Sequence, residues 1–130
     1  MHKLYQVIAS KLQAIRNCEE SGNTEWHARH TDDLKALVKD HMPSGSGIDS
    51  GTTFDFSCST PNKLIFDTAY HHMNDGGYYN GWTDHQIIVT PDLASGFDLR
   101  ITGRDRNDIK YYLGEVFYHA LNSVPVEQAF

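Results

Sequence analysis

Hydrophobic residues recur at helical spacing near the start of the chain. Residues 3 to 21 carry an apolar stripe at intervals of three and four residues, and a second such stripe ends before Pro43. Gly22 lies where a left-handed C-cap would end the first helix, and Asn23 or Thr24 can cap the second. The short connection predicts an antiparallel helical hairpin.

The middle of the chain changes to alternation between apolar and polar positions, which is typical of strands. Four segments show β-branched and aromatic character and predict strands: 53 to 58, 63 to 73, 85 to 90 and 97 to 102. Pro91 is expected to end the third strand. In the fourth, Arg100 falls on the polar side.

A wide apolar stripe from about 107 to 122 predicts a final helix that covers one face of the sheet, and Asp105, Asn107 or Asp108 is available as its cap. The order of elements predicts an α+β fold with an N-terminal helical hairpin, a four-stranded, mostly antiparallel sheet and a C-terminal helix packed on the sheet. We expect a single domain over 1–130, made of the hairpin (1–42), a Gly/Ser loop (43–52), the sheet (53–103) and the C-terminal helix (104–123).

Composition narrows the class of protein. The chain has 130 residues, 39% hydrophobic and 22% charged, with a formal net charge of -6, which fits a folded, acidic domain. An acidic body disfavours extended nucleic acid as a partner, because such contact requires a broad basic surface. Its apolar runs are too short to cross a bilayer, and its N-terminal residues do not fit a signal peptide, so we expect a cytoplasmic protein without a membrane partner.

Arginine is concentrated at one place in this acidic chain. Three of the five arginines, Arg100, Arg104 and Arg106, fall within seven residues, where the fourth strand leads into the last helix. A helix start offers free backbone N–H groups, and guanidinium groups match phosphate or carboxylate oxygens. The segment therefore predicts a site for an anion, with Asn107 beside it. The alternative is that Arg104 or Arg106 pairs with Asp98, Asp105 or Asp108 and only fixes the turn.

Rings are concentrated between the second and third predicted strands, in the glycine-rich segment from Asn74 to Asp84. Tyr78 and Trp82 offer flat surfaces for stacking on a nucleobase, unless they fold back onto the core or meet another subunit. His71 and His72 precede this segment and point to opposite faces of their strand, which weakens any two-histidine metal site. We expect no metal and no cofactor.

The segment PSGSGIDSG, which begins at Pro43, is a flexible connector or a ligand-contacting loop, with Ser44 and Ser46 as candidate contacts. It matches no nucleotide-binding loop, and no serine in it follows the pattern of a catalytic nucleophile.

The segments GIDSGTTFDF, AYHHMNDGGYYNGWTDH and FDLRITGRDRNDI, in this order, resemble the first Thoeris anti-defence family of phage proteins. Members of that family sequester cyclic ADP-ribose isomers made by bacterial TIR-domain enzymes, and members can also hold cyclic oligonucleotides from cGAS-like enzymes (CBASS signals). The resemblance implies that Arg100 and Arg104, and with them Arg106, hold phosphates. It also implies a homo-oligomer.

In that family an aromatic ring stacks on adenine and an asparagine helps to hold the ligand. Tyr78, Trp82, Asn74 and Asn80 are candidates for these two roles by their chemistry alone.

These observations predict a non-enzymatic protein that captures a small phosphorylated nucleotide signal, in the host cytoplasm if phage-encoded. One alternative is a hydrolase or phosphodiesterase of a similar nucleotide, with His71, His72 or His85 as acid or base. Another is an inhibitor that blocks a protein by acidic mimicry of nucleic acid, as an anti-CRISPR would.

Overall fold

A computed structural model describes residues 2–43, 47–48, 51–92 and 96–125. Within these ranges the chain forms three helices and four strands, in the order α1 (Leu4–Ser21), α2 (Thr24–His41), β1 (Thr52–Phe54), β2 (Leu64–Met73), β3 (Tyr79–Asp92), β4 (Gly96–Ile101) and α3 (Asn107–Asn122). The strands form one sheet in the order β1-β2-β3-β4, and each neighbouring pair is antiparallel. The predicted α+β fold is confirmed, and α3 packs on the sheet.

The helical hairpin forms as its caps predict. Gly22 ends α1 in the left-handed conformation, with φ of 72°, and its N–H donates to the carbonyl of Cys18. The side chain of Asn23 accepts a hydrogen bond from the Trp26 N–H at 3.2 Å and so begins α2. Two local capping signals thus set the tight turn between the helices.

One hydrophobic core joins all three helices to one face of the sheet. The strand residues in this core alternate along each strand, as Leu64 and Phe66 do on β2 and Ile87 and Val89 on β3. They pack with Leu4, Leu34, Leu113 and Phe117 from the helices. The residues between them point to the opposite side, here called the outer face, which carries Thr53, Ile65, Asp67, Ala69, His71, Trp82, Asp84, Gln86, Ile88, Asp98 and Arg100.

The first predicted strand is too long. β1 ends at Phe54 because the side chain of Asp55 accepts hydrogen bonds from the backbone N–H groups of Ser57 and Cys58, at 3.1 and 3.0 Å. These bonds turn the chain, as aspartate commonly does. Cys58 therefore lies in an exposed turn and not in a strand.

The third predicted strand is too short at both ends. β3 continues through Pro91, because its pairing with β2 ends at Val89 and a proline beyond that point interrupts no hydrogen bond to β2. At its other end β3 starts at Tyr79, so the loop expected from Asn74 to Asp84 is only a hairpin turn. The Asn74 side chain builds that turn by accepting from the N–H groups of Gly76 and Tyr78.

The cap predicted for α3 is also wrong. Arg106 occupies the N-cap position and makes no side-chain hydrogen bond to the helix. The Asp105 carboxylate contacts two histidines instead of the helix, and Asn107 and Asp108 are the first two residues of the helix itself.

Candidate functional site

Arg100 lies on the outer face of the sheet, as the alternation in β4 predicts. Its cross-strand neighbour is Ile88 on β3, and its own side chain is exposed. In the described part of the chain no carboxylate forms an ion pair with it. The Arg100 guanidinium is therefore available to a ligand.

Arg104 and Arg106 lie in the connection from β4 to α3, and both are exposed. The Nε atom of Arg106 is 3.3 Å from Oδ1 of Asp108, and both side chains are more than two-thirds exposed, so solvent screens this pair strongly. Asn107 is exposed at the first position of α3, where the backbone N–H groups have no side-chain cap. The structure thus distributes the three arginines over a strand, a connection and a helix cap.

Asp105 anchors this connection to the sheet. Its Oδ2 lies 2.8 Å from Nε2 of His85, and its Oδ1 lies 3.2 Å from Nε2 of His72. The other ring nitrogen of His85 donates to the carbonyl of Thr102 at 2.7 Å. Gly103 allows the chain to fold over at this point, because its φ is 124° and its Cα lies against the Nδ1 edge of the His85 ring.

Both ring nitrogens of His85 face groups that accept hydrogen bonds. The side chain is fully buried, and the Asp105 carboxylate is only 8% exposed. These two bonds tie His85 between the connection and the end of β4 and leave its side chain without access to a substrate.

The paired histidines of β2 separate as predicted. His71 points to the outer face, where its Nδ1 lies 3.0 Å from the hydroxyl of Tyr79. His72 points to the helical side, where its Nε2 lies 2.9 Å from Oγ1 of Thr83 as well as near Asp105. Its side chain remains 26% exposed.

The exposed rings belong to the β2–β3 hairpin. Tyr78 is 74% exposed in the turn, and Trp82 is 60% exposed in the strand, directly opposite His71. Trp82, His71 and Tyr79 therefore present aromatic surface on the outer face. Asn80 is exposed beside them, while the Asn74 side chain is occupied by the turn.

Arg100 and Trp82 lie far apart on this face. Ile88, the partner of Arg100, is six residues from Trp82 along β3. At a rise of about 3.3 Å per residue, the two positions are separated by roughly 20 Å. Asp67, Asp84 and Gln86 lie between them.

These intervening residues line a cleft of about 590 Å³ on the outer face, together with Thr53, Ala69 and Thr102. Asp67, Asp84 and Gln86 were not predicted as site residues from the sequence. Asp67 and Gln86 fall within predicted strands, whereas Asp84 was expected in the loop before the third strand. The cleft is acidic, and none of the three predicted arginines lines it. Its carboxylate and amide oxygens can accept hydrogen bonds from hydroxyl or amino groups.

Ser44 and Ser46 lie outside the described residues. Among the residues that are described, no group of three or more His, Cys, Asp or Glu side chains has an arrangement suited to a metal ion. None of the helices in the described ranges has the length and apolarity needed to cross a membrane.

Comparison of the chain with protein-family models, with curated proteins and with solved structures finds no match.

Proposed function

We propose that this protein binds a small phosphorylated nucleotide on the outer face of its sheet and sequesters it without cleavage. The observation that carries the proposal is the presence, on one face, of an unpaired exposed guanidinium at Arg100 and an exposed ring at Trp82. A guanidinium binds phosphate oxygens through charge-assisted hydrogen bonds, and a flat ring stacks on a base.

The polar cleft between Arg100 and Trp82 also supports binding of a nucleotide. Asp67, Asp84 and Gln86 offer acceptors for the ribose hydroxyls or the base amino groups of a ligand that lies across the strands. Their negative charge disfavours a long polyanion, which would place phosphates against them. Arg104 and Arg106 add positive charge at the edge of the sheet, near the start of α3.

The separation of about 20 Å between Arg100 and Trp82 bears on the size of the ligand. This separation is between backbone positions, and the long side chains of Arg100 and Trp82 each span part of it. A cyclic oligonucleotide offers more than one base and phosphate to cover the remaining distance, so we favour it over a cyclic ADP-ribose isomer. We place the protein in the cytoplasm and infer that it acts as a homo-oligomer.

The test is to incubate the purified protein separately with cyclic ADP-ribose and with a cyclic dinucleotide, remove free ligand, release bound material by heat and identify it by mass. Recovery of intact cyclic dinucleotide at near-stoichiometric amounts is the expected result. Recovery of neither compound, with no ligand-induced rise in melting temperature, would contradict the proposal.

A second candidate, hydrolysis of such a ligand, is favoured by one specific observation. His72 is held by the buried carboxylate of Asp105 and is still partly exposed, an arrangement used by general bases. His72 lies on the side of the sheet opposite Arg100, so a reacting phosphate would be held by Arg104, Arg106 or the start of α3. Linear or cleaved nucleotide in the heat-released material, lost in His72→Gln, would identify this activity.

A further inference from the structure

The short strand β1 forms one edge of the sheet, and a groove of about 440 Å³ separates this edge from α2. Val38 and Met42 from α2 and Phe54 and Phe56 from β1 and the residues after it give the groove an apolar lining. This site is remote from the arginines of the β4–α3 connection and does not depend on the function proposed above.

The edge of β1 carries main-chain groups that point into the groove. Asp55 N–H donates to the Ile65 carbonyl, so Asp55 and, two residues earlier, Thr53 direct their main-chain groups toward β2. Thr52 and Phe54 must then direct theirs away from β2, and both residues line the groove. Across the described ranges these outward groups have no main-chain partner. An extended segment laid along the edge would find donors and acceptors at strand spacing.

The rim of the groove is positively charged. Lys35 and Lys39 lie one helical turn apart on α2, both are exposed, and neither pairs with a carboxylate of the described residues. Lys35 also lies 5.9 Å from the centre of the Phe56 ring and so spans the apolar lining. The carboxylate of Asp55, which directly follows β1, already accepts hydrogen bonds from the N–H groups of Ser57 and Cys58. These two lysines give the groove a local positive charge in a chain of net charge -6.

We propose that this groove binds an extended, acidic segment of a partner protein, which adds to β1 as a fifth strand. The segment would pair with Thr52 and Phe54 through its main chain and insert an apolar side chain over Val38 and Met42. Its carboxylates would lie against Lys35 and Lys39. Since β1 has three residues, the paired part of the segment is about as long.

The probe is a fluorescein-labelled peptide of seven residues with glutamate at positions two and six, valine at position four and serine elsewhere, so that the valine and both glutamates share one face of the strand. It is titrated against the full chain by fluorescence polarisation. Saturable binding is expected, and a peptide with lysine in place of glutamate should not bind. N-methylation of alternate residues provides the test of strand pairing. Methyl groups on the set of residues that faces β1 should abolish binding, and methyl groups on the other set should not.

Charge reversal on the rim provides the second test. Lys39→Glu should weaken binding of the glutamate peptide by about tenfold, since an attraction becomes a repulsion. Lys63→Glu, an exposed lysine in the turn before β2, changes net charge equally and should alter binding by less than about twofold. Circular dichroism confirms that both variants fold. Equal loss in the two variants, equal effects of both methylation patterns, or no saturable binding overturns the proposal.

Discussion

The backbone of Gly103 lies against the ring of the buried His85, so that a Cβ atom on Gly103 would overlap Nδ1 of that ring. The same residue has a φ of 124°, which side-chain-bearing residues rarely adopt. This contact lets the connection from β4 fold over His85 and bring Asp105 to its other nitrogen.

Gly103→Ala should lower the free energy of unfolding by about 2–5 kcal/mol, because backbone strain and overlap with a buried ring add together. Gly96→Ala is the matched control, since Gly96 has a φ of 105° but nothing within 4 Å of the added Cβ. The control should lose only the free energy that the strained backbone angle costs. Urea unfolding measures the free energy of unfolding of both variants. Equal losses would show that the ring contact has no energetic weight.

Asp105→Asn should destabilise the fold by about 1–3 kcal/mol, because two histidines lose a charged acceptor in a site with little solvent. Asp75→Asn removes an exposed carboxylate from the β2–β3 turn and should change stability by less than about 0.5 kcal/mol. Equal stability of Asp105→Asn and Asp75→Asn in urea unfolding would contradict this role of Asp105.

Arg100→Ala should weaken binding of a cyclic dinucleotide by about tenfold or more while leaving the melting temperature of the free protein nearly unchanged, because an exposed charge is lost and no cavity is made. Arg29→Ala removes an exposed arginine of α2, remote from the outer face, and serves as the comparison. Isothermal titration calorimetry gives both affinities. Unchanged affinity in Arg100→Ala would move the phosphate site away from β4.

Trp82→Ala should cost about 1–3 kcal/mol of binding free energy if the ring stacks on a base of the same ligand. Trp26→Ala is the matched variant, because Trp26 is also about half exposed but lies on α2. Loss of affinity in the Arg100 variant but not in the Trp82 variant would indicate a shorter ligand, held at the arginine end of the face only.

The free energy of unfolding should depend on the ionisation of Asp55 at acid pH. Hydrogen bonds from the backbone N–H of Cys58, and from Ser57, hold the pKa of this carboxyl below its ordinary value. A lowered folded-state pKa means that the ionised form stabilises the fold above the ordinary aspartate pKa, and that this contribution is lost as the pH falls through the folded-state pKa. In Asp55→Asn, whose amide oxygen can still accept at the turn, that part of the acid dependence of the unfolding free energy should be absent. An acid profile identical to that of the unmutated chain would refute this assignment.

Local patterns in the sequence determined most of the fold. The apolar stripes specify the three helices because residues three and four apart share a helix face, and Gly22 and Asn23 end and begin helices through bonds to near neighbours. Strand alternation likewise predicted that Arg100 would lie on the outer face and that His71 and His72 would point to opposite faces.

Tertiary structure decided what depends on residues distant in the chain. β3 can include Pro91 because its pairing with β2 has already ended at Val89. Asp105 does not cap α3 because its carboxylate contacts His72 and His85, which lie at least 20 residues earlier in the chain. The separation of Arg100 from Trp82 likewise follows from the register of β3 with its two neighbours. The hydrophobic period of a segment predicts which face of a helix or strand a side chain lies on. Its contact partner depends on which strands pair and in what register, and residues throughout the sheet determine that pairing.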